Sequence, residues 1–171
     1  MSASNVEPWL RGTLTEVDPV LRAVLHALEL AREDAERWVK DFGDTEIHAR
    51  PAGLPSVAFH LRHEVRSLDR LLTYAEGRQL DMEQMAALKS EMDDASTSKD
   101  VLEEFAEGLR AAEIRVRAFT AAQFAEARGV GRKALPTTVV GLLVHCADHT
   151  QRHSGQMVTT AKLVLASRGQ D

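Results

Sequence analysis

The sequence predicts an all-α protein, a four-helix bundle, and three observations carry that expectation. Four segments repeat their apolar residues every three or four positions, the period of a helix buried along one side. Almost nothing alternates with the period of two that a half-buried strand requires. The 171 residues, 44% apolar and 27% charged with only five prolines, fit one domain (1–171) whose core needs neither disulfide nor metal for stability.

The first helix is expected to open at Asp18-Pro19, a capping carboxylate followed by proline at the first helical position, and to stop before Gly43. Leu21, Leu25, Leu28, Ala31, Ala35, Trp38 and Phe42 form its apolar stripe. The second follows Pro55-Ser56 and runs to about Gly77, with Val57, Leu61, Leu68, Leu71 and Ala75 inward. His60 and Glu64 interrupt that inner face and His63 sits at its edge. Polar groups there need partners, because unpaired burial costs about 1–3 kcal/mol.

The pattern weakens over 78–98, where a short helix spanning about 82–92 precedes a polar run at 93–98. The third long helix starts near Ser98, with Thr97 and Asp100 at the spacing of a capping box. Val101, Phe105, Leu109, Ala112, Val116 and Phe119 line it. An irregular stretch at 126–136 holds Gly129, Gly131 and Pro136. The fourth helix then opens at Thr137 or Thr138 and continues to about Ala166, ahead of Gly169. The link of about twenty residues between the second and third helices can cross the bundle's length, so these two can run parallel. An up-down-down-up order follows, with simple up-down as the alternative.

Charge and composition narrow the function. A formal net charge of −5, with Arg110, Arg115 and Arg117 interleaved with Glu113, describes a solvated helix face and no basic stripe for nucleic acid. The single cysteine, Cys146, allows no internal disulfide. The polar N-terminus with Pro8 does not read as a signal peptide, and the apolar run 139–144 is far short of the roughly 20 residues that span a bilayer. Neither nucleic acid nor membrane is an expected partner, and the cytoplasm is the expected compartment.

Five of the seven histidines fall in two clusters, His60 with His63 and His145 with His149 and His153. Steps of four keep the second set on one helical face, drifting about 40° per step. Two imidazoles so placed can aim at one point in space, which is how helices build metal sites. A third ligand must come from another helix, where His60 and His63 are the clustered candidates. His145 can ligate instead, or hydrogen-bond at the site. Isolated His26 and His48 read as ordinary polar residues. No His-Glu-x-x-His motif suggests a zinc protease.

The segment from His149 through His153 to Gly155-Gln156 resembles the last-helix signature of the DinB-like metalloprotein superfamily, in which two histidines four apart precede a Gly-Gln pair. The segment Ser56 to His63 resembles that family's second helix, where the ligand falls seven residues after the opening Ser or Thr. The resemblance therefore selects His63 over His60. Arg50-Pro51 and Trp38 fit the same pattern, which covers nearly the whole chain. Ser154 stands where arginine is often found, and Glu64 where an apolar residue is usual.

Three neutral imidazoles leave a divalent ion its full charge and open coordination positions, the arrangement of a catalytic zinc site. Zn2+ fits best, with Ni2+, cobalt, iron or manganese also suited to imidazole. Such an ion lowers the pKa of bound water towards about 7, or takes a thiol as thiolate. Glu64 is the candidate general base, or a carboxylate that orients a ligand; a hydrogen bond to Ser67 or plain exposure is the alternative. Gln156 is a polar contact near the ion or a packing residue, Asp148 belongs to the surface, and Cys146 to the core. The resemblance implies a metal-dependent transferase or isomerase that joins a low-molecular-weight thiol, such as bacillithiol or mycothiol, to a small-molecule substrate. A metal-dependent hydrolase and a non-catalytic metal-binding bundle are the alternatives. Relatives often pair through a bundle face, so a homodimer is also expected, although an ordinary core explains the same stripes.

Overall fold

The computed structural model describes residues 6–92 and 95–168. Asp93 and Asp94, in the polar run, and Gly169, beyond the last helix, lie outside the described residues. The architecture is mostly helical, with α1 (Pro19–Trp38), α2 (Asp44–Ile47), α3 (Val57–Ala75), α4 (Met82–Lys89), α5 (Ser98–Arg117) and α6 (Val139–Ser167). The region 126–136, irregular by sequence pattern, departs from an all-α fold. There β1 (Ala127–Val130) pairs antiparallel with β2 (Leu135–Thr138). Its turn runs through Gly131 and Ala134, both at positive φ, and Arg128 Nε ties it to α3 by donating to Ala75 O at 2.7 Å.

The helix starts follow the caps in the sequence. Asp18 accepts from Val20 N, Ser56 from Phe59 N, Thr97 from Asp100 N and Thr138 from Gly141 N. The first helix ends earlier than its stripe. After Trp38 the chain turns, and Val39 and Phe42 still reach the core from outside the helix. The hydroxyl of Ser98 donates to Phe42 O at 2.6 Å and its N–H to Asp44 Oδ1 at 2.7 Å, joining the end of α1 to the start of α5.

The four long helices share one core, with α3 against α5 and α6, and α1 against the same two. Along α3 and α6 the contacts run in opposite directions: Pro55 meets Thr160, His60 meets His153 and His63 meets His149. Along α3 and α5 they advance together, from Arg62 with Glu104 to Asp69 with Arg115. Gly108 permits the close approach of these two helices, since a Cβ there would lie 2.4 Å from the Cβ of Val65.

The short α4 lies across α3 in an unusual sense. Its polar side faces inward: Arg66 donates to Ala87 O at 2.7 Å and Ser90 Oγ at 3.0 Å, and Gln84 donates to Asp69 and Thr73. Met82, Met85, Leu88 and Met92 face outward. Among the described residues no helix is long and apolar enough to cross a membrane.

Candidate metal centre

His63 comes from α3 and His149 and His153 from successive turns of α6, and the antiparallel contact of these helices brings the three together. Each offers one ligand atom, and the three atoms lie within 4.8 Å of one another. Ring centroids are 4.4 Å apart for His63 and His153, 4.6 Å for His149 and His153, and 5.1 Å for His63 and His149. Phe59, one turn before His63, stacks on its ring at 5.3 Å.

Burial, followed by the charge of neighbouring imidazoles, pushes the pKa of His149 and His153 down to about 4. Both are therefore neutral at pH 7, the form that ligates a metal. Three half-buried imidazoles converging from two helices, with His149 and His153 held neutral, are a donor set that fits a divalent transition metal.

Two contacts bear on which nitrogens are offered. His63 Nδ1 lies 2.7 Å from Glu91 Oε2, whose other oxygen accepts from Arg70 at 2.8 Å. With Nδ1 donating to the carboxylate, Nε2 keeps its lone pair, which among the described residues only the Ser67 hydroxyl approaches, at 3.4 Å. This is the carboxylate–histidine arrangement common in metal sites. Burial pushes the Glu91 carboxyl up, but His63 and Arg70 outweigh it and hold it below the ordinary range. His153 Nδ1 lies 3.2 Å from Nδ1 of His60, and the tautomer in which His153 donates leaves its Nε2 for a metal. One of this pair donates and the other accepts, which requires at least one neutral ring. Burial and the adjacent His153 and His63 take the pKa of His60 down to about 4.

The other singled-out residues take different places. His60 touches the cluster through His153 but is not among the three converging donors. His145 is exposed, pairs with Asp148 at 2.8 Å and lies 5.4 Å from His149 ring to ring. Glu64 is fully buried, and the hydroxyl donating to it belongs to Ser154 (3.1 Å), not Ser67. Burial pushes its carboxyl well above the usual range, with Ser154 opposing and Asp34 adding to the rise. Its Oε1 has no hydrogen-bond partner among the described residues. Cys146 is buried, its thiol pushed up to about 12 by desolvation. Gln156 is exposed on α6. His26 meets Thr13, and His48 meets Ser96 O.

Glu91 and Arg70 are the site residues that the sequence pattern does not reveal. Glu91 falls in the weakly patterned stretch and reaches His63 only because α4 folds back over α3.

Comparison with known proteins bears on the fold and the family. No functionally curated protein matches the chain. A solved structure, the crystal structure of a conserved protein from Enterococcus faecalis, superposes with a TM-score of 0.70 at 21% identity, covering 86% of this chain and 98% of that one. At that identity the likeness shows the fold. The sequence pattern of the DinB superfamily matches residues 27–157, a span that includes all three converging histidines. The chain belongs to the DinB superfamily, a family of metal-binding proteins.

Proposed function

We propose that the three-histidine cluster holds one divalent ion, Zn2+ before Ni2+, and that the protein is a metal-dependent enzyme of the thiol-transferase or isomerase type. The observation that carries this reading is the convergence of three imidazoles, two of them held neutral at pH 7 by burial. An ion held there would supply Lewis acidity, making a nucleophile of a thiol or of water at neutral pH. The thiol would come from a small molecule, because the chain's one cysteine is buried with its pKa near 12.

The surrounding residues have separable tasks in this reading. Glu91 and Arg70 orient His63, and His60 orients His153. Phe59 covers one face of the His63 ring and keeps water from it. Glu64, whose burial favours the protonated form, braces Ser154 beside His153 and is not assigned as the base. The contact order along the long helices supports an up-down-down-up path with its crossover between α3 and α5, which sets α3 beside α6 to frame the site.

A panel of electrophiles offered to the metal-loaded protein, with and without small thiols, tests the proposal. Thiol-dependent conjugation or isomerisation, abolished in a folded His153→Ala variant, is the expected result. Turnover of an ester or amide without thiol would assign a hydrolase. Silence with every substrate, alongside metal-dependent thermal stability, would assign a non-catalytic metal-binding bundle.

A further inference from the structure

Among the described residues three glycines lie inside α-helices, and each calls for a reason, because glycine weakens a helix relative to alanine. Gly108 faces the Cβ of Val65, and a Cβ at Gly141 would lie 2.7 Å from Thr137 Oγ1. Gly155, in the middle of α6, has no such neighbour: a Cβ there would meet no atom within 4 Å. The protein's own packing does not require a glycine at this position. The space above it belongs to a groove of about 530 Å³ between α6 and the segment that enters α3.

The chemistry of that groove is asymmetric. Leu54, Pro55 and Phe59 make an apolar wall opposite Gly155, and His60 and His153 close one end, so the groove leads to the three-histidine cluster. Arg152 stands at the rim, its side chain 59% exposed and its ion pair with Asp148 loose at 3.7 Å. The volume lies within the range of small-molecule sites. Gln156, Thr159 and Thr160 continue the α6 side beyond Gly155. An apolar wall, an open space over Gly155 and one cation thus suit a ligand with a flat apolar body, room for polar substituents and a single negative charge.

We infer that this groove is the substrate site of the metal centre, and that it takes a small molecule whose flat apolar body lies over Gly155. A carboxylate or similar anion of that molecule meets Arg152, and its reactive end points to His153. The chemistry at that end rests on the proposed metal-site function, whereas the fit to the groove can be measured without it.

The test fills the groove and leaves the fold alone. Gly155→Leu places its side chain in open space and improves helix propensity, so its melting temperature should equal or exceed the wild type's and its metal content should be unchanged. Anilinonaphthalene sulfonate, an aromatic monoanion, should bind the metal-free wild type with enhanced fluorescence. Its affinity should fall at least tenfold in Gly155→Leu and in Arg152→Met, with partial recovery in Arg152→Lys. Absence of binding to the wild type, or equal affinity in a folded Gly155→Leu, would overturn the inference. A second titration links groove and metal: the visible spectrum of Co2+-loaded protein is followed with 2-mercaptoethanol and with 4-mercaptophenylacetic acid. The wild type should favour the aromatic thiol acid at least tenfold, and Gly155→Leu should erase that preference while responding normally to 2-mercaptoethanol. If the preference survives in Gly155→Leu, the groove assignment is wrong. If neither thiol perturbs the cobalt spectrum, the thiol reading of the centre is wrong, and the fluorescence result alone decides the groove.

Discussion

Replacing Glu91 by glutamine should weaken metal binding by about 10–100-fold, the usual cost of losing the partner that orients a ligating histidine. That factor corresponds to about 1.4–2.7 kcal/mol. The reasoning starts from two donors facing one carboxylate, His63 Nδ1 at 2.7 Å and Arg70 Nη1 at 2.8 Å. A carboxylate accepts from both, whereas an amide of the same shape accepts from one and must turn its NH2 to the other. If the NH2 faces His63, Nδ1 has to accept and the ring proton moves to Nε2, which then cannot ligate. If it faces Arg70, two donors meet beside a guanidinium that has lost its counter-charge. Competition with a chromophoric chelator at pH 7.5 measures the affinity. The melting temperature of the metal-free protein separates a site effect from loss of the α4 anchor. Glu91→Ala should lose at least as much affinity as Glu91→Gln. A glutamine variant that binds within twofold of wild type, at the same stoichiometry, would refute the assigned tautomer and the role of Glu91.

Untagged protein should carry one transition-metal ion per chain by elemental analysis, lost in His63→Ala, His149→Ala and His153→Ala and retained more weakly in His60→Ala. Loss in His60→Ala with retention in His63→Ala would reassign the third ligand. Glu64 has a folded-state pKa raised above its unfolded value of about 4.5, so its contribution to stability is full below that pH and is lost as pH rises towards the folded value. Glu64→Gln removes this titration, and its stability relative to wild type should grow from pH 4 to pH 8 in urea unfolding; a difference that stays flat with pH would contradict a protonated Glu64. Gly108→Ala should destabilise by about 1–3 kcal/mol through overpacking against Val65, outweighing the ~1 kcal/mol that alanine gains in helix propensity. A more stable Gly108→Ala protein would show that α3 and α5 can part at little cost.

The sequence discloses the fold where local chemistry and tertiary packing agree. Asp18, Ser56, Thr97 and Thr138 cap the four long helices, and the stripes of α1 and α5 lie in the core. Phe42 shows the limit of periodicity, since it continues the α1 stripe in spacing but reaches the core from a turn. The hairpin is hidden because Ala127–Val130 and Leu135–Thr138 carry glycine, proline and arginine where alternation would be sought. Its strands are held by each other, by the end of α3 and by the start of α6, with Val130 the one strand residue packed on the core. At the metal centre the i, i+4 spacing of His149 and His153 is local information and is legible. Glu91 meets His63 across 28 positions, a contact that no spacing rule encodes. Glu64 is recognisable as a polar residue on an inner face, but its partner Ser154 lies on another helix.

The inverted seating of α4 has a thermodynamic consequence. It is fastened through Arg66 and Gln84, and the turn after it through Glu91, while Met82 and Met85 already face solvent. Lifting it would expose little new apolar surface, so that opening carries a small heat-capacity change and a small denaturant dependence. Its amides should exchange hydrogen through an excursion nearly indifferent to urea, while those of α3 and α6 await global unfolding. Added salt screens the charge-assisted fastenings and leaves the apolar core intact. Ionic strength thus adjusts how often Glu91 leaves His63 while the apolar core of the bundle beneath stays packed.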